Sequence, residues 1–318
     1  MSLHFNKAGL QTSLQDFGRT GQMHNGVSRS GAMDKTAMQM ANWLVSKPLD
    51  SPLIEITMIA PEITFSQRMS IAICGAEFEW FLNGVPIDAH QTIQVQPDDQ
   101  LRANKRISGL RAYLAFSAIP DTTQRGDSPA IKPVMGSYST HLIAGFGGFK
   151  GRAFEDGDCL HLMDSTVAEN KAIPRNYVFS YSGSYVFRTV ASVETTVFTT
   201  EQKALFFDQS FQVQIDSDRM GIRLQGTPLL FEQQIQLVSS GLTQGSIQIP
   251  PSGQPIISSV DGQTLGGYPR IANVISADLP LLGQLQAGDR VRFSFVDKSL
   301  AMIFNQQKQG WLDTLLNG

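Results

Sequence analysis

The sequence is poor in cysteine and in charge. Its 318 residues include two cysteines and 17% charged residues, with a formal net charge of −3. A chain without a basic excess has no positive stripe for a phosphate backbone, so we expect no nucleic-acid partner. Cys74 and Cys159 both lie next to apolar residues. We predict that they are small core residues of a protein from a reducing compartment.

Long apolar runs are also missing. No run approaches the ~20 residues that a membrane span needs. The first residues, 1–7, lack the apolar centre of a signal peptide. We therefore expect a cytoplasmic protein with no membrane partner. Hydrophobic residues still make up 42% of the chain, enough for a substantial core in one large or two medium domains.

Motifs of the common catalytic and cofactor sites are absent from the sequence. It contains no Gly-x-Ser-x-Gly, no His-Glu-x-x-His and no cysteine adjacent to a histidine. The five histidines lack metal-ligand spacing, so no metal site is predicted. The glycine-rich segment 144–152 has Lys150 where the dinucleotide pattern requires glycine, and no Gly-Lys-Ser/Thr occurs. We expect no cofactor, ATP included, to bind through a recognisable motif here.

Short alternating segments separated by turns run through the first half. They predict strands, the clearest being 53–58, 71–74, 78–82, 92–95 and 112–116. Asn83-Gly84 predicts a type I′ hairpin turn. One helix is predicted at 34–46, because Asp34 is a favoured N-cap and apolar residues follow at helical spacing until Pro48. The first half is therefore predicted to be a β-rich lobe with one covering helix.

A second β-rich lobe is predicted after a polar stretch. Residues 165–176 are interpreted as a linker between an N-terminal lobe, 1–170, and a C-terminal lobe, 177–318. Predicted elements of the second lobe are strands at 177–181, 184–190 and 290–295, a short helix capped by Thr200, and a terminal helix interrupted at Gly310. Each lobe has a Gly-Asp step before a late strand, which suggests two related barrels.

The stretch 214–278 has the pattern of a binding site. Its strands lead into glycine-rich turns that carry acids, amides, an arginine and a tyrosine. Glycines let the backbone approach a small ligand, and barrel rims commonly hold ligands. Gln248 can bind an amide edge, and Tyr268 can donate to a carbonyl group. The alternative is that these are ordinary tight turns of a β-rich domain.

Paired carboxylates and arginines are the other chemical signal. Asp218 and Arg219 flank one turn, and Asp16 and Arg19 lie three residues apart. A carboxylate can take a proton or orient water, and an arginine can clamp a planar carboxylate. The alternative for each residue is an internal salt bridge or a turn cap. His141 is another candidate general base, for which a structural role is the simpler interpretation.

Several segments together resemble one family, the C subunits of ATP-dependent 5-oxoprolinase, also described as KipA or allophanate hydrolase subunit 2. They keep their order and spacing along nearly the whole chain. The matching segments are 12–19 (TSLQDFGR), 30–34 (SGAMD), 53–57 (LIEIT), 136–140 (GSYST), 147–152 (GGFKGR), 217–224 (SDRMGIRL), 245–250 (GSIQIP) with 253–255 (GQP), and 263–270 (QTLGGYPR).

The resemblance implies a mainly β fold, with two cyclophilin-like β-barrel lobes and a few short helices. It also implies a complex. Family members work with separate A and B subunits, of which the second is KipI-like, and the complex converts 5-oxo-L-proline to L-glutamate. ATP would then be used through another member of the complex.

The resemblance also implies site residues. The expected catalytic residues are Asp261, as acid or base, Asp16 and Asp218; the expected substrate-binding residues are Arg19, Asp34, Arg219, Gln248, Thr264, Gly266 and Tyr268. Arg219 would hold a carboxylate, and Gln248 and Tyr268 would bind carbonyl or amide groups. Departures from the family pattern, such as Leu265 and Gly262, bear on the substrate more than on the fold.

Two alternatives stay open. The same fold serves as the carboxyltransferase component of biotin-dependent urea or amide carboxylases. Because the sequence contains no Met-Lys-Met attachment site, biotin would have to come from a partner chain. The other alternative is a non-enzymatic KipA-type regulator that binds a KipI-like partner.

Overall fold

Strands account for most of the regular structure in the computed structural model, which describes residues 2–123, 130–232, 235 and 237–317. The chain forms two compact units. The first comprises Met1–Thr20 and Ser30–Tyr181, and the second Gly21–Arg29 and Ser182–Gly318. The predicted fold class, mainly β in two lobes with a few helices, is confirmed.

The described residues of the first unit form ten strands and one α-helix. They are β1 (Ser2–Lys7), β2 (Gln11–Gln15), α1 (Lys35–Leu44), β3 (Leu53–Thr57), β4 (Glu62–Phe65), β5 (Met69–Leu82), β6 (Val85–Ile87), β7 (Thr92–Val95), β8 (Gln100–Phe116), β9 (Ile119–Pro120) and β10 (Cys159–Met163). All ten strands belong to one sheet. Its inner face forms a core rich in leucine, isoleucine and phenylalanine, in which Phe5 stacks on Phe154.

Two strands of this sheet are longer than predicted. The predicted strands 71–74 and 78–82 are parts of the 14-residue β5, and 112–116 is the end of the 17-residue β8. The β5–β8 register shifts after Gly75, which has a φ of +95°. Such bulges bend a strand without ending it. The glycine that looked like a strand boundary therefore lets one strand continue through a bend.

Local signals in the first unit gave correct predictions. Asp34 is the N-cap of α1, and its side chain accepts a hydrogen bond from Ala37 N at 3.0 Å. Asn83 and Gly84 both have positive φ and join Leu82 to its partner Val85, as a type I′ turn requires. Both features rest on backbone geometry that only a few residue types favour.

The boundary between the units differs from the predicted linker. Residues 165–176 lie in the first unit and bond to it. Ala168 N donates to Ser70 Oγ at 2.8 Å, and Lys171 N donates to Thr92 Oγ1 at 3.0 Å. The polar composition of residues 165–176 reflects hydrogen bonding at the edge of the sheet. It does not mark the end of the first unit.

Nine strands and three α-helices lie in the described part of the second unit. They are β11 (Ser184–Ala191), α2 (Thr200–Asp208), β12 (Phe211–Val213), β13 (Gly221–Gln225), β14 (Ser240–Gly241), β15 (Ser246–Gln248), β16 (Ile256–Ser258), β17 (Leu265–Gly266), β18 (Arg270–Val274), α3 (Leu279–Leu282), β19 (Arg290–Phe295) and α4 (Lys298–Asn317). Seven strands form a closed barrel in the order β11-β18-β15-β16-β13-β12-β19, and β14 pairs with β17 separately.

Apolar packing fills this barrel. Val291 and Phe293 alternate with exposed residues along β19 and face inward. Phe206 of α2 stacks on Phe293, with ring centroids 4.7 Å apart, and also contacts Phe211. The helix therefore contributes an aromatic ring to the barrel core.

Three elements predicted for the C-terminal lobe are corrected. The cap of α2 is Thr199, one residue earlier than predicted, in a capping box with Gln202. Gly310 does not interrupt α4, which runs unbroken for 20 residues. No strand occupies 177–181, a range that belongs to the first unit and begins where the 3₁₀ turn Arg175–Tyr177 ends. None of the helices in the described part of the chain is long and apolar enough to cross a membrane.

An ion pair fastens the small β14–β17 sheet to the barrel. Arg270 Nε donates to Glu194 Oε2 at 2.6 Å, and a second guanidinium nitrogen bonds Oε1. Arg270 also donates to Gly241 O at 2.6 Å and Ser240 Oγ at 2.7 Å. The hydrogen bond from Arg270, opposed in part by burial, lowers the pKa of Glu194 below its ordinary value of 4.5.

This shift predicts a pH-dependent stability. A carboxyl with a lowered pKa in the folded state stabilises the fold above its unfolded pKa, and this contribution is lost as the pH falls through the folded pKa. We expect Glu194→Gln to lower the melting temperature at pH 7 and to lose this effect below the ordinary glutamate range. Thermal unfolding from pH 7 to pH 3 measures it, with the exposed Glu232→Gln as control. Equal destabilisation by Glu194→Gln at every pH would contradict the prediction.

Candidate functional site

A cavity of about 630 Å³ opens at one side of the barrel in the second unit. It is lined by residues of β13, β15 and β16 and of the turns around them. Amide side chains are its most frequent polar groups: Gln214, Gln225, Gln248, Gln254 and Gln263. The amide of Gln254 is bonded at both ends to the backbone of Gly226. The other four offer donors and acceptors for a polar ligand with carbonyl and N–H groups.

Two carboxylates and one guanidinium supply the charge of this cavity. Asp218 Oδ1 accepts hydrogen bonds from Met220 N at 2.8 Å and Gly221 N at 3.1 Å. Asp216 Oδ2 lies 3.2 Å from Arg223 Nε in an exposed ion pair. The backbone therefore fixes Asp218 in position, whereas Asp216 is already paired with a cation.

Two other predicted residues line the same cavity. Gln248 ends β15 beside a register shift and packs against Gly266, where an added Cβ would lie 2.5 Å from Nε2. Tyr268 is 48% exposed. Asp218, Gln248 and Tyr268 therefore line one cavity, and their roles in catalysis and substrate binding stay predictions.

Arg219 and Asp261 form a buried ion pair outside the lining of the cavity. Arg219 Nε donates to Asp261 Oδ2 at 2.8 Å, and the two side chains are 4% and 0% exposed. Asp261 N also donates to Arg219 O at 2.9 Å. The pair joins the turn that carries Asp218 to the segment that leads to Tyr268. This geometry gives the pair a structural role, and a direct contact with substrate stays a prediction.

Thr264 and Gly266 act through their backbone. Leu242 N donates to Thr264 O at 2.8 Å, and Gly266 pairs with Ser240 in the β14–β17 sheet. Leu242 and Gln263 line the cavity. The two predicted residues therefore hold the segments next to the cavity, and neither belongs to its lining.

Three predicted residues, Asp16, Arg19 and Asp34, lie in the first unit. Asp16 is buried and accepts hydrogen bonds from Gly18 N at 2.8 Å and Ser137 Oγ at 2.6 Å, and from Ser139 Oγ and Tyr138 N at 2.5 Å. Asp16 thus organises the turn 137–139. A proton-transfer role for it stays a prediction.

Arg19 packs against the glycine-rich segment. It donates to Ser139 O at 2.5 Å, and its guanidinium carbon lies 4.6 Å from the centre of the Phe146 ring. A Cβ on Gly147 would lie 2.3 Å from the Arg19 guanidinium and one on Gly148 1.9 Å from Thr140 Oγ1. Close packing therefore explains why this segment has glycine at 147 and 148.

Asp34 and His141 also have local structural partners. Besides capping α1, Asp34 donates its backbone N–H to Tyr113 Oη at 2.8 Å. Burial, followed by the charge of Glu55, raises the pKa of Tyr113 well above its usual range. His141 Nδ1 accepts a hydrogen bond from Ala144 N at 3.2 Å. These contacts favour the structural interpretation of His141 over the general base.

Cys159 has neighbours that the sequence prediction missed. Strand pairing places its Sγ 3.9 Å from His4 Nε2 and 3.7 Å from His161 Nε2, and the side chain is only half-buried. Burial raises the pKa of the thiol, so it is a poor nucleophile. No group of three or more His, Cys, Asp or Glu side chains in the described ranges is arranged to hold a metal ion.

The sequence prediction also missed most of the polar cavity lining. Arg223 and Gln225 alternate with the buried Ile222 and Leu224 along β13. This alternation is visible in the sequence. It identifies the exposed face of the strand, but which face borders a cavity depends on β15 and β16, which begin more than 20 residues later in the chain.

Comparison with known proteins identifies the family. The profile of the carboxyltransferase domain, subdomain A and B, matches residues 25–295. The C subunit of 5-oxoprolinase from Haemophilus influenzae is 33% identical over 310 residues, 96% of this chain and 94% of that protein. The corresponding Escherichia coli protein is 32% identical over 97% of this chain and 96% of its own length.

A solved structure agrees with this assignment. The crystal structure of Kluyveromyces lactis urea carboxylase matches 99% of this chain with a TM-score of 0.90 and 27% identity. This chain corresponds to 29% of the length of that enzyme. The chain therefore belongs to the carboxyltransferase domain family, subdomain A and B.

Proposed function

We propose that this chain is the C subunit of an ATP-dependent, multi-subunit 5-oxoprolinase that converts 5-oxo-L-proline to L-glutamate. The similarity to two 5-oxoprolinase C subunits over 94% and 96% of their length carries the proposal. The A and B subunits of such an enzyme are the proposed partners, and ATP would be used through one of them. A cytoplasmic location stays a prediction.

The cavity of the second unit supports this proposal. The substrate is a lactam, which offers one carbonyl oxygen and one N–H, and it carries a carboxylate. The glutamine side chains can bind the lactam edge, and Tyr268 can donate to its carbonyl oxygen. Arg223 is half-exposed in the lining, and it can bind the carboxylate beside its ion pair with Asp216.

Asp218 is the proposed acid or base. It lines the cavity, and two backbone N–H groups bond only one of its carboxylate oxygens. The other oxygen can orient a water molecule towards the carbonyl carbon or transfer a proton to the lactam nitrogen as the C–N bond breaks. Asp261 is the less suitable candidate because Arg219 binds both of its oxygens in the interior.

A second candidate function is carboxyl transfer. The TM-score of 0.90 with a urea carboxylase favours it. In that case a partner chain would supply biotin, and the cavity amides would bind urea or a related amide. Co-purification with a biotinylated partner would favour this function, whereas an inactive heterodimer with a KipI-like protein would favour the regulator.

The test of the proposed function is glutamate release from 5-oxoproline and ATP by this chain reconstituted with its candidate A and B subunits. We expect turnover only when all three chains are present. A well-formed complex without turnover would count against the proposal, and carboxylation of urea by this chain with a biotinylated partner would replace it.

Substitution of Asp218 tests the site. We expect Asp218→Asn to lower kcat about 10²–10⁴-fold, the usual contribution of general acid–base catalysis, with no loss of complex formation. The matched control is Asp208→Asn at the exposed end of α2. If the Asp218→Asn complex kept the wild-type kcat, Asp218 would not be the acid or base of the reaction.

The Arg219–Asp261 pair predicts an effect on stability. Removing one partner leaves the other charge buried and unpaired, which costs about 3–5 kcal/mol. We expect Asp261→Ala to lower the free energy of unfolding of the second unit by about this amount. The double variant Arg219→Met, Asp261→Leu should recover most of it, because no unpaired charge remains.

Urea denaturation measures both variants, and activity assays of the double variant separate stability from catalysis. Turnover by a stable double variant would establish the structural role. A stable but inactive double variant would instead support a direct role of Asp261 in the reaction.

A further inference from the structure

A second cavity, of about 330 Å³, lies in the same unit as the first. Its lining includes three residues from the segment 21–29, namely Met23, Ser28 and Arg29. The rest comes from the turns around β14 and β16 and from the region between β18 and α3. The proposed reaction assigns no role to this cavity.

Two serine hydroxyls in the lining lack a partner. Ser28 and Ser259 are 5% and 4% exposed, and neither Oγ has a hydrogen-bond partner among the described residues. A buried hydroxyl without a partner is destabilising, and native proteins rarely leave one unsatisfied. Both residues line the cavity, so a χ1 rotation of either serine would let its hydroxyl donate to an acceptor on a bound molecule.

The charge of the lining favours an anion. Arg29 is the one charged residue among the described lining residues, and its guanidinium forms no ion pair with any residue in the described ranges. The first cavity differs, because its lining holds Asp216 and Asp218 against the single cation Arg223. An arginine that lines the same cavity as two hydroxyl donors, without a competing carboxylate in the described lining, is suited to bind an oxyanion.

We propose that this cavity is a second ligand site, which binds a small molecule bearing a carboxylate or phosphate group. Arg29 pairs with the anionic group, and the hydroxyls of Ser28 and Ser259 donate to its oxygens. Leu242, Thr243 and Gln244 of the lining contact the remainder of the ligand. This proposal does not depend on the reaction proposed for the first cavity.

The two sites would share a wall. Leu242, Ser258 and Gln263 line both cavities. A Cβ on Gly262 would lie 2.5 Å from Ser258 Oγ, so this part of the wall has no spare space. A ligand in the second cavity therefore contacts side chains that also face the first cavity.

Calorimetric titration of the full chain tests the proposal. The probes are sodium acetate and inorganic phosphate, titrated at constant ionic strength in chloride, with acetamide as the neutral analogue of acetate. We expect saturable binding of acetate or phosphate and much weaker binding of acetamide. The stronger of the two anions identifies the head group.

Substitutions locate the binding. We expect Ser28→Ala and Ser259→Ala each to raise the Kd about tenfold, as for a hydrogen bond to a charged group, and Arg29→Gln to raise it at least tenfold. The controls are Ser252→Ala in the first cavity and Arg292→Gln on the exposed face of β19. Without anion, the serine variants should melt at or above the wild-type temperature, because the deleted hydroxyls are buried and make no hydrogen bond.

Three results would overturn the proposal. They are the absence of saturable anion binding, acetamide binding as tight as that of acetate, and equal Kd values for Arg29→Gln and Arg292→Gln. None of them bears on the proposed function, because the titration uses this chain alone and involves no turnover of 5-oxoproline.

Discussion

Pairing of β11 with β19 is the interaction on which the second unit depends. Ser184–Thr189 lie parallel to Arg290–Phe295, residue by residue, and this pairing closes a barrel whose other neighbouring strands are antiparallel. Closure leaves no free strand edge and sets the inward direction of Phe187 and Phe293. Both cavities lie among the turns of this barrel, so their shapes follow from a pairing between strands a hundred residues apart.

The charged side chains around the barrel include both shielded ion pairs and accessible carboxylates. One buried pair, Arg219 with Asp261, joins two turns from within, and one shielded pair, Glu194 with Arg270, fastens the small sheet. The accessible carboxylates Asp216 and Asp218 line the first cavity. The interior charges thus shape the turns, and the accessible charges are available for chemistry.

The sequence correctly predicted a helix cap and a turn that depend only on neighbouring residues. The cap at Asp34 and the hairpin turn at Asn83-Gly84 follow from residue preferences that act within four residues, and both are correct. The merging of two predicted strands into β5 was missed, because a bulge at Gly75 has the same sequence signature as a strand end. The cap of α2 was misplaced by one residue between two adjacent threonines.

The candidate site was predicted less completely, for a physical reason. Turn composition identified Asp218, Gln248 and Tyr268, which line the first cavity. The pattern gave no means to tell an accessible acid from a buried one, since the partner of Arg219 is a carboxylate 42 residues away. Burial and pairing arise from the tertiary fold. The same holds for the second cavity, whose lining joins Ser28 to Ser259.

The membership of Gly21–Arg29 in the second unit has a consequence for dissecting the protein. A fragment that starts at Ser182 would contain every strand of the barrel but would lack this segment. One side of the second cavity would then be missing. The two units are therefore not consecutive stretches of sequence, and any exchange of the second unit between relatives must carry a short piece from the beginning of the chain.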